Sequence, residues 1–230
     1  MSEDARATTV LLVGALLVRL SLTHAHARYV RVGMGWWLLI AGILLVVLGL
    51  AGVIRALAAR RPAPDPHGDH EHGDRVGWLL LAPVLALLLV TPPALGSYGV
   101  DRNATVEVTS GGKTFDALPA GRTVPMSLRE FDERAADHGG ASMGTTPVRL
   151  TGFVARPNDG TGFRIARYQI ACCAADAIPA VARVTGAIGA PPARDRWVTV
   201  TGVFNGSPGG VPELRASSIT EIPAPPDPYE

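Results

Sequence analysis

Apolar residues run almost unbroken through three stretches of the first 96 positions, and beyond them the pattern breaks into short alternating segments. Residues 33–57 (GMGWWLLIAGILLVVLGLAGVIRAL) carry no charge before Arg55. At ~1.5 Å of rise per residue such a run crosses the ~30 Å hydrocarbon core of a bilayer. Trp36 and Trp37 open it, where amphipathic rings favour the membrane interface. Residues 76–95 form a second run, with Trp78 near its start, Pro83 inside it and Pro92-Pro93 at its end. An internal proline is tolerated in lipid when neighbouring groups satisfy the freed carbonyl. Residues 8–22 form the shortest run, with Arg19 near its far end, where a long side chain snorkels to the interface. A signal peptide cleaved after Ala25-His26-Ala27 is the rival reading of this run. Glu3 and Asp4 against Arg6 alone make a poor positive n-region, so a retained membrane helix is expected.

From residue 97 the chain reads as a soluble domain. Residues 105–108 alternate like a strand before Gly111-Gly112. Ser127-Leu128-Arg129-Glu130 has the form of a capping box, and it predicts a short helix over 126–138 with Leu128, Phe131 and Ala135 inward. Residues 148–156, 162–170, 180–184, 197–204 and 214–222 then alternate with a period of two and predict five strands. Asn158-Asp159-Gly160, Pro191-Pro192 and Asn205-Gly206-Ser207-Pro208 supply the turns. Five short strands suit a small OB-like barrel better than a sandwich, and Gly152 and Gly202 fall mid-strand, where barrels bend. The fold expected is membrane α plus β: three transmembrane helices over 1–96, a connecting segment over 97–145, an OB-like five-stranded β-barrel over 146–223, and a disordered tail over 224–230.

Charge sets the orientation. Arg55, Arg60, Arg61 and Arg75 flank the loop between the second and third runs, and Arg6 joins them on that side. Arg28, Arg31 and Arg102 fall on the other side. The positive-inside rule then puts residues 58–75 in the cytoplasm and the C-terminal domain outside. The near-exclusive use of arginine over lysine, with abundant Ala, Gly and Pro, suggests a GC-rich bacterial genome, so a bacterial cell membrane is the expected location. A net charge of +1 and a single lysine, Lys113, give no basic groove, so nucleic acid is not an expected partner.

Two places carry candidate chemistry. His67, Asp69, His70, Glu71, His72 and Asp74 crowd one loop and include three of the chain's six histidines. Imidazole and carboxylate donors on a flexible loop suit weak, exchangeable binding of zinc or another divalent metal; the bland reading is a solvated linker. The second place is Cys172-Cys173 with Asp176, at the end of a predicted strand. Four readings stay open for it: small packing residues, a thiophilic ion site, a vicinal disulfide acting as a redox latch, and a nucleophile. No Ser/His/Asp ordering, HExxH, Walker or GxGxxG pattern occurs, so an enzyme is not expected.

The run ARYQIACCAADAIPA, followed by DRWVTVTG at 195–202, resembles the DUF1980 family of permease subunits. Arg28-Tyr29 after the first apolar run, the His/Asp loop at 67–74 and the Pro-rich exit at 91–97 extend the resemblance over the chain. What it implies is an accessory membrane subunit working beside a larger DUF318-type permease, with metal supply as a fitting role. It transfers no catalytic residue; Cys172, Cys173 and Asp176 match its motif as a functional or structural signature. A membrane-tethered thiol or metal-handling protein that acts without a permease is the alternative.

Overall fold

The computed structural model describes residues 3–59, 81–90, 93–103, 114–156, 162–186 and 192–230. The chain divides into two compact units, Met1–Pro93 and Ala94–Glu230.

In the first unit α1 spans Glu3–Leu22 and α2 spans Gly35–Ala59, and a tight turn containing His26 and Ala27, both buried, joins them. The two helices pack antiparallel along a line of small residues. A Cβ at Gly49 would stand 2.6 Å from the Leu11 amide nitrogen, one at Gly14 would stand 2.7 Å from that of Val46, and one at Gly52 would meet Ala7. Absent side chains thus let the two backbones touch, which is how helices associate where water drives nothing together. The other faces of α2 are bare: Trp36, Trp37, Leu44, Val47 and Leu57 are more than half exposed. A helix apolar all round and exposed is suited to lipid rather than to a soluble core.

Among the described residues one helical stretch, Val32–Ala58, is long and apolar enough to cross a membrane, against the three expected. Helix α1 carries Glu3, Asp4, Arg6 and Arg19, which shorten its uninterrupted apolar length. Helix α3, Leu81–Leu89, packs against α1 but covers only part of the third run. Residues 76–80 and 91–92 of that run lie outside the described residues, as do the histidine loop at 67–74, the strand expected at 105–108 and the turn at 158–160.

In the second unit a short helix α4 (Ser97–Asn103) precedes β1 (Val124–Pro125) and α5 (Leu128–Ala136). Five strands follow: β2 (Val148–Arg156), β3 (Phe163–Gln169), β4 (Ile178–Thr185), β5 (Trp197–Phe204) and β6 (Glu213–Ile222). Together with β1 they make one mixed six-stranded sheet, ordered β1-β2-β3-β4-β6-β5 with a further β2–β5 pairing. The last pairing returns the ladder to its start, so β2, β3, β4, β6 and β5 form a closed cycle. The β4–β6 contact is parallel; the other four in the cycle are antiparallel. Register shifts interrupt β2 between Val154 and Arg156, and β5–β6 at Gly202. At Gly152 a Cβ would stand 2.7 Å from the Ala166 carbonyl, and at Gly202 one would overlap the Arg215 carbonyl. Strands cross that closely only where no side chain intervenes.

Two apolar clusters lie on opposite faces of β2 and β3. The larger gathers Leu150, Val154, Phe163, Ile165, Val184, Val198 and Leu214, with Leu128 and Phe131 of α5 packed into it. Ser127 starts α5 as expected, its Oγ accepting the Glu130 N–H at 2.9 Å. The smaller cluster joins Val100 of α4 to Phe153, Ala166, Tyr168, Ile170 and Tyr229.

The tail corrects the sequence reading at 224–230. Beyond Ala166, β3 has no β2 partner, and the chain end fills the vacancy: Tyr229 bridges Tyr168 in parallel, and the Glu230 N–H donates to the Tyr168 carbonyl at 2.9 Å. Arg167 donates to the carbonyls of Asp227 and Tyr229 at 2.7 and 3.2 Å. The Glu230 carboxylate accepts the Leu128 and Arg129 N–H groups at 2.9 and 3.1 Å, the open first turn of α5.

Candidate functional site

Strand β3 ends at Gln169 opposite Ile178, the first residue of β4, so the chain between them must make a wide loop. Ile170 stays buried and holds the loop's entrance, its N–H donating to the Glu230 carbonyl at 3.3 Å. On the other side, the Tyr168 hydroxyl donates to the Gly96 carbonyl at 3.0 Å, with no room for a side chain at Gly99 beneath it. Both flanks of the strand end are therefore fixed just before the cysteines.

Cys172 is exposed, Cys173 is half-buried with an extended backbone (φ −153°, ψ 171°), and a single 3₁₀ turn, Ala174–Asp176, follows. Asp176 folds back over the loop. Its Oδ1 accepts the Ala171 N–H at 2.9 Å, and its Oδ2 accepts those of Cys172 and Cys173 at 2.8 and 3.3 Å. The Asp176 N–H donates to the Cys173 carbonyl at 3.1 Å. A carboxylate is what this loop needs: three consecutive N–H groups converge, and no strand partner is left to take them.

The Cys172 thiol also donates to this carboxylate. That bond, with the backbone donors, holds the Asp176 carboxyl down at about 2. Reciprocally, the bond to Asp176, then the one to Cys173, pushes the Cys172 thiol up to about 11. Hydrogen bonding to the charged form of one partner favours it, and the thiolate beside a carboxylate is disfavoured. This bears on two of the four readings. A thiol kept protonated is a poor nucleophile, and no histidine joins the group among the described residues. His138 is elsewhere engaged, its Nδ1 2.6 Å from Asp137 Oδ1, with most of its side chain in solvent. Nor are the cysteines buried packing residues; the core is complete without them.

Both thiols are free, and the ligand atoms of Cys172, Cys173 and Asp176 all lie within 4.8 Å of one another. Around one zinc ion, Zn–S bonds of ~2.3 Å and Zn–O bonds of ~2.0–2.2 Å keep donors within roughly 4.6 Å of each other. The group therefore could hold a metal with small adjustment. It is the one such group among the described residues. The sequence picked out all three members but not the supports, Tyr168, Arg167 and Glu230, whose partners are 60 or more residues away.

Residues 141–230 match the family model of the DUF1980 C-terminal domain. The match takes in β2 to β6, the cysteine turn and the docked tail. No curated protein and no solved structure matches the chain. Residues 141–230 thus form a DUF1980 C-terminal domain.

Proposed function

We propose that the chain is an accessory membrane subunit of a two-component permease, holding its C-terminal domain outside the cytoplasm beside a larger DUF318-type partner. The observation that carries this reading is the pairing, in one chain, of the exposed apolar helix Val32–Ala58 with a DUF1980 C-terminal domain. The glycine-lined contact of α1 with α2 supports a multi-pass anchor that retains α1, with residues 76–95 as a third span. The closed strand cycle, with its parallel β4–β6 pairing, supports the OB-like barrel. Such an anchor has little polar surface from which to build a pore: α2 is uncharged from Gly35 to Ile54. Moving cargo then falls to the partner. Zinc or another divalent metal suits the donor chemistry of this chain as that cargo.

Affinity purification of the full chain from detergent-solubilised native membranes, after cross-linking, tests the proposal. Recovery of a large polytopic permease in constant ratio is the expected result, and a lone monomer from intact membranes overturns it. The Cys172/Cys173/Asp176 geometry favours a second reading, a membrane-tethered metal-handling protein that needs no permease. Under that reading deletion of the partner gene leaves the chain's metal content unchanged, whereas a Cys172→Ser, Cys173→Ser double variant lowers it.

A further inference from the structure

We propose that the turn at Cys172, Cys173 and Asp176 is an open, exchangeable site for a thiophilic divalent cation of the zinc class, two sulfurs and one carboxylate oxygen lying within 4.8 Å of one another. The inference deepens the metal-related part of the proposed function and rests on that part, not on the permease partner.

A carboxylate offers about four lone-pair positions. Three N–H groups, from Ala171, Cys172 and Cys173, take up three of those of Asp176. That leaves about one for a cation. Cys172 Sγ and Cys173 Sγ both lie within 4.8 Å of an Asp176 carboxylate oxygen, and of each other. A cation entering there meets two sulfurs and one oxygen, each already on the same side of the turn. The balance is simple: the cation gains two thiolate bonds, and two thiol protons leave to water. Two sulfur donors select zinc-class ions over magnesium and calcium, which prefer oxygen.

Two further features separate this from a structural site. Structural zinc centres close four protein ligands around the ion. Here, among the described residues, three donors leave one position open, and exposed Cys172 puts it within reach of an incoming ligand. The fold also does not need the ion, because Asp176 holds the loop through backbone donors and the main core lies elsewhere. The site is thus built before the cation arrives, which suits capture and release.

The experiment uses the full chain in detergent micelles, purified with reductant and stripped by chelator, and titrates it with Co²⁺ as the zinc probe. Thiolate–Co²⁺ charge-transfer absorption is the readout, because imidazole and carboxylate ligands do not produce it. The wild type should saturate with one thiolate-bound Co²⁺ per chain, reversed by excess Zn²⁺. Cys172→Ser and Cys173→Ser should each abolish the band, and Asp176→Asn, which removes the charged oxygen donor, should weaken binding. A His67→Ala, His70→Ala, His72→Ala variant should keep it. The chelated protein should stay folded and unfold cooperatively, with its midpoint lowered only by the lost binding energy. No band at saturating Co²⁺, a band indifferent to both serine variants, or a Cys172–Cys173 disulfide in protein extracted without reductant overturns the proposal. Co²⁺ bound without a band and lost in the histidine variant also overturns this site, while leaving the broader metal reading intact.

Discussion

Removing the Glu230 carboxylate should loosen the first turn of α5. Its side chain is only 9% exposed, and its two oxygens accept the Leu128 and Arg129 N–H groups at 2.9 and 3.1 Å. Hydrogen bonds to a charged group contribute ~1.5–3 kcal/mol each. Part of that is offset, since burial is the largest influence on Glu230 and pushes its carboxyl upward despite those two donors and Arg167. Ser127 keeps its own bond to the Glu130 N–H in the variant. A net loss of about 2 kcal/mol remains, which multiplies local opening ~30-fold. Hydrogen exchange read by mass spectrometry over residues 126–134 measures this directly, because the Leu128 and Arg129 amides have no partner within the helix. Glu230→Ala should speed exchange there by that factor. Glu230→Gln, which keeps one acceptor oxygen, should fall between. Unchanged exchange at Leu128 and Arg129 in Glu230→Ala would refute the capping role of the tail.

Three other outcomes follow from the packing and charge. Gly49→Leu should separate α1 from α2 at a cost of about 1–3 kcal/mol, seen as a lower unfolding midpoint in detergent, whereas Gly33→Leu, with open space around it, should not. Gly202→Ala should destabilise the C-terminal unit by about 2 kcal/mol or more, because its Cβ would meet only backbone, the Arg215 carbonyl and Ala216 Cα; Trp197 fluorescence during denaturation reads it. Burial, then Glu133, pushes the Asp132 carboxyl up to about 6, with Arg129 opposing. A folded pKa above the unfolded value of ~3.9 means its contribution is full below that value and is lost as pH rises through about 6. Asp132→Asn should therefore gain stability over the wild type as pH rises from ~4 to ~7, and a parallel pH profile for the two would count against that burial cost.

The strands were legible because one face of each meets the core. β2 and β5 lie where the period of two places them, at 148–156 and 197–204, and α5 begins at the capping box. β1 went unread because two residues ending in Pro125 carry no periodicity; its place comes from pairing with Val148 and Arg149. The tail went unread for a related reason. Asp-Pro-Tyr-Glu has the composition of a loose end, and its order depends on Arg167, Tyr168 and α5, more than 50 residues earlier. The cysteine turn was readable as a location, while its state was not: whether adjacent thiols are buried, bonded or exposed depends on where the loop lies and on what Asp176 holds.

The closed strand cycle limits how any partner can bind. Each of its five strands already has a neighbour on both sides, and the free end of β3 is taken by the tail. The domain thus offers little in the way of a row of unpaired N–H and C=O groups on which another chain could add a strand, the usual route to edge-to-edge aggregation. Recognition then falls largely to side chains and loops, and a turn built from two thiols and a carboxylate is a natural place for specificity to reside.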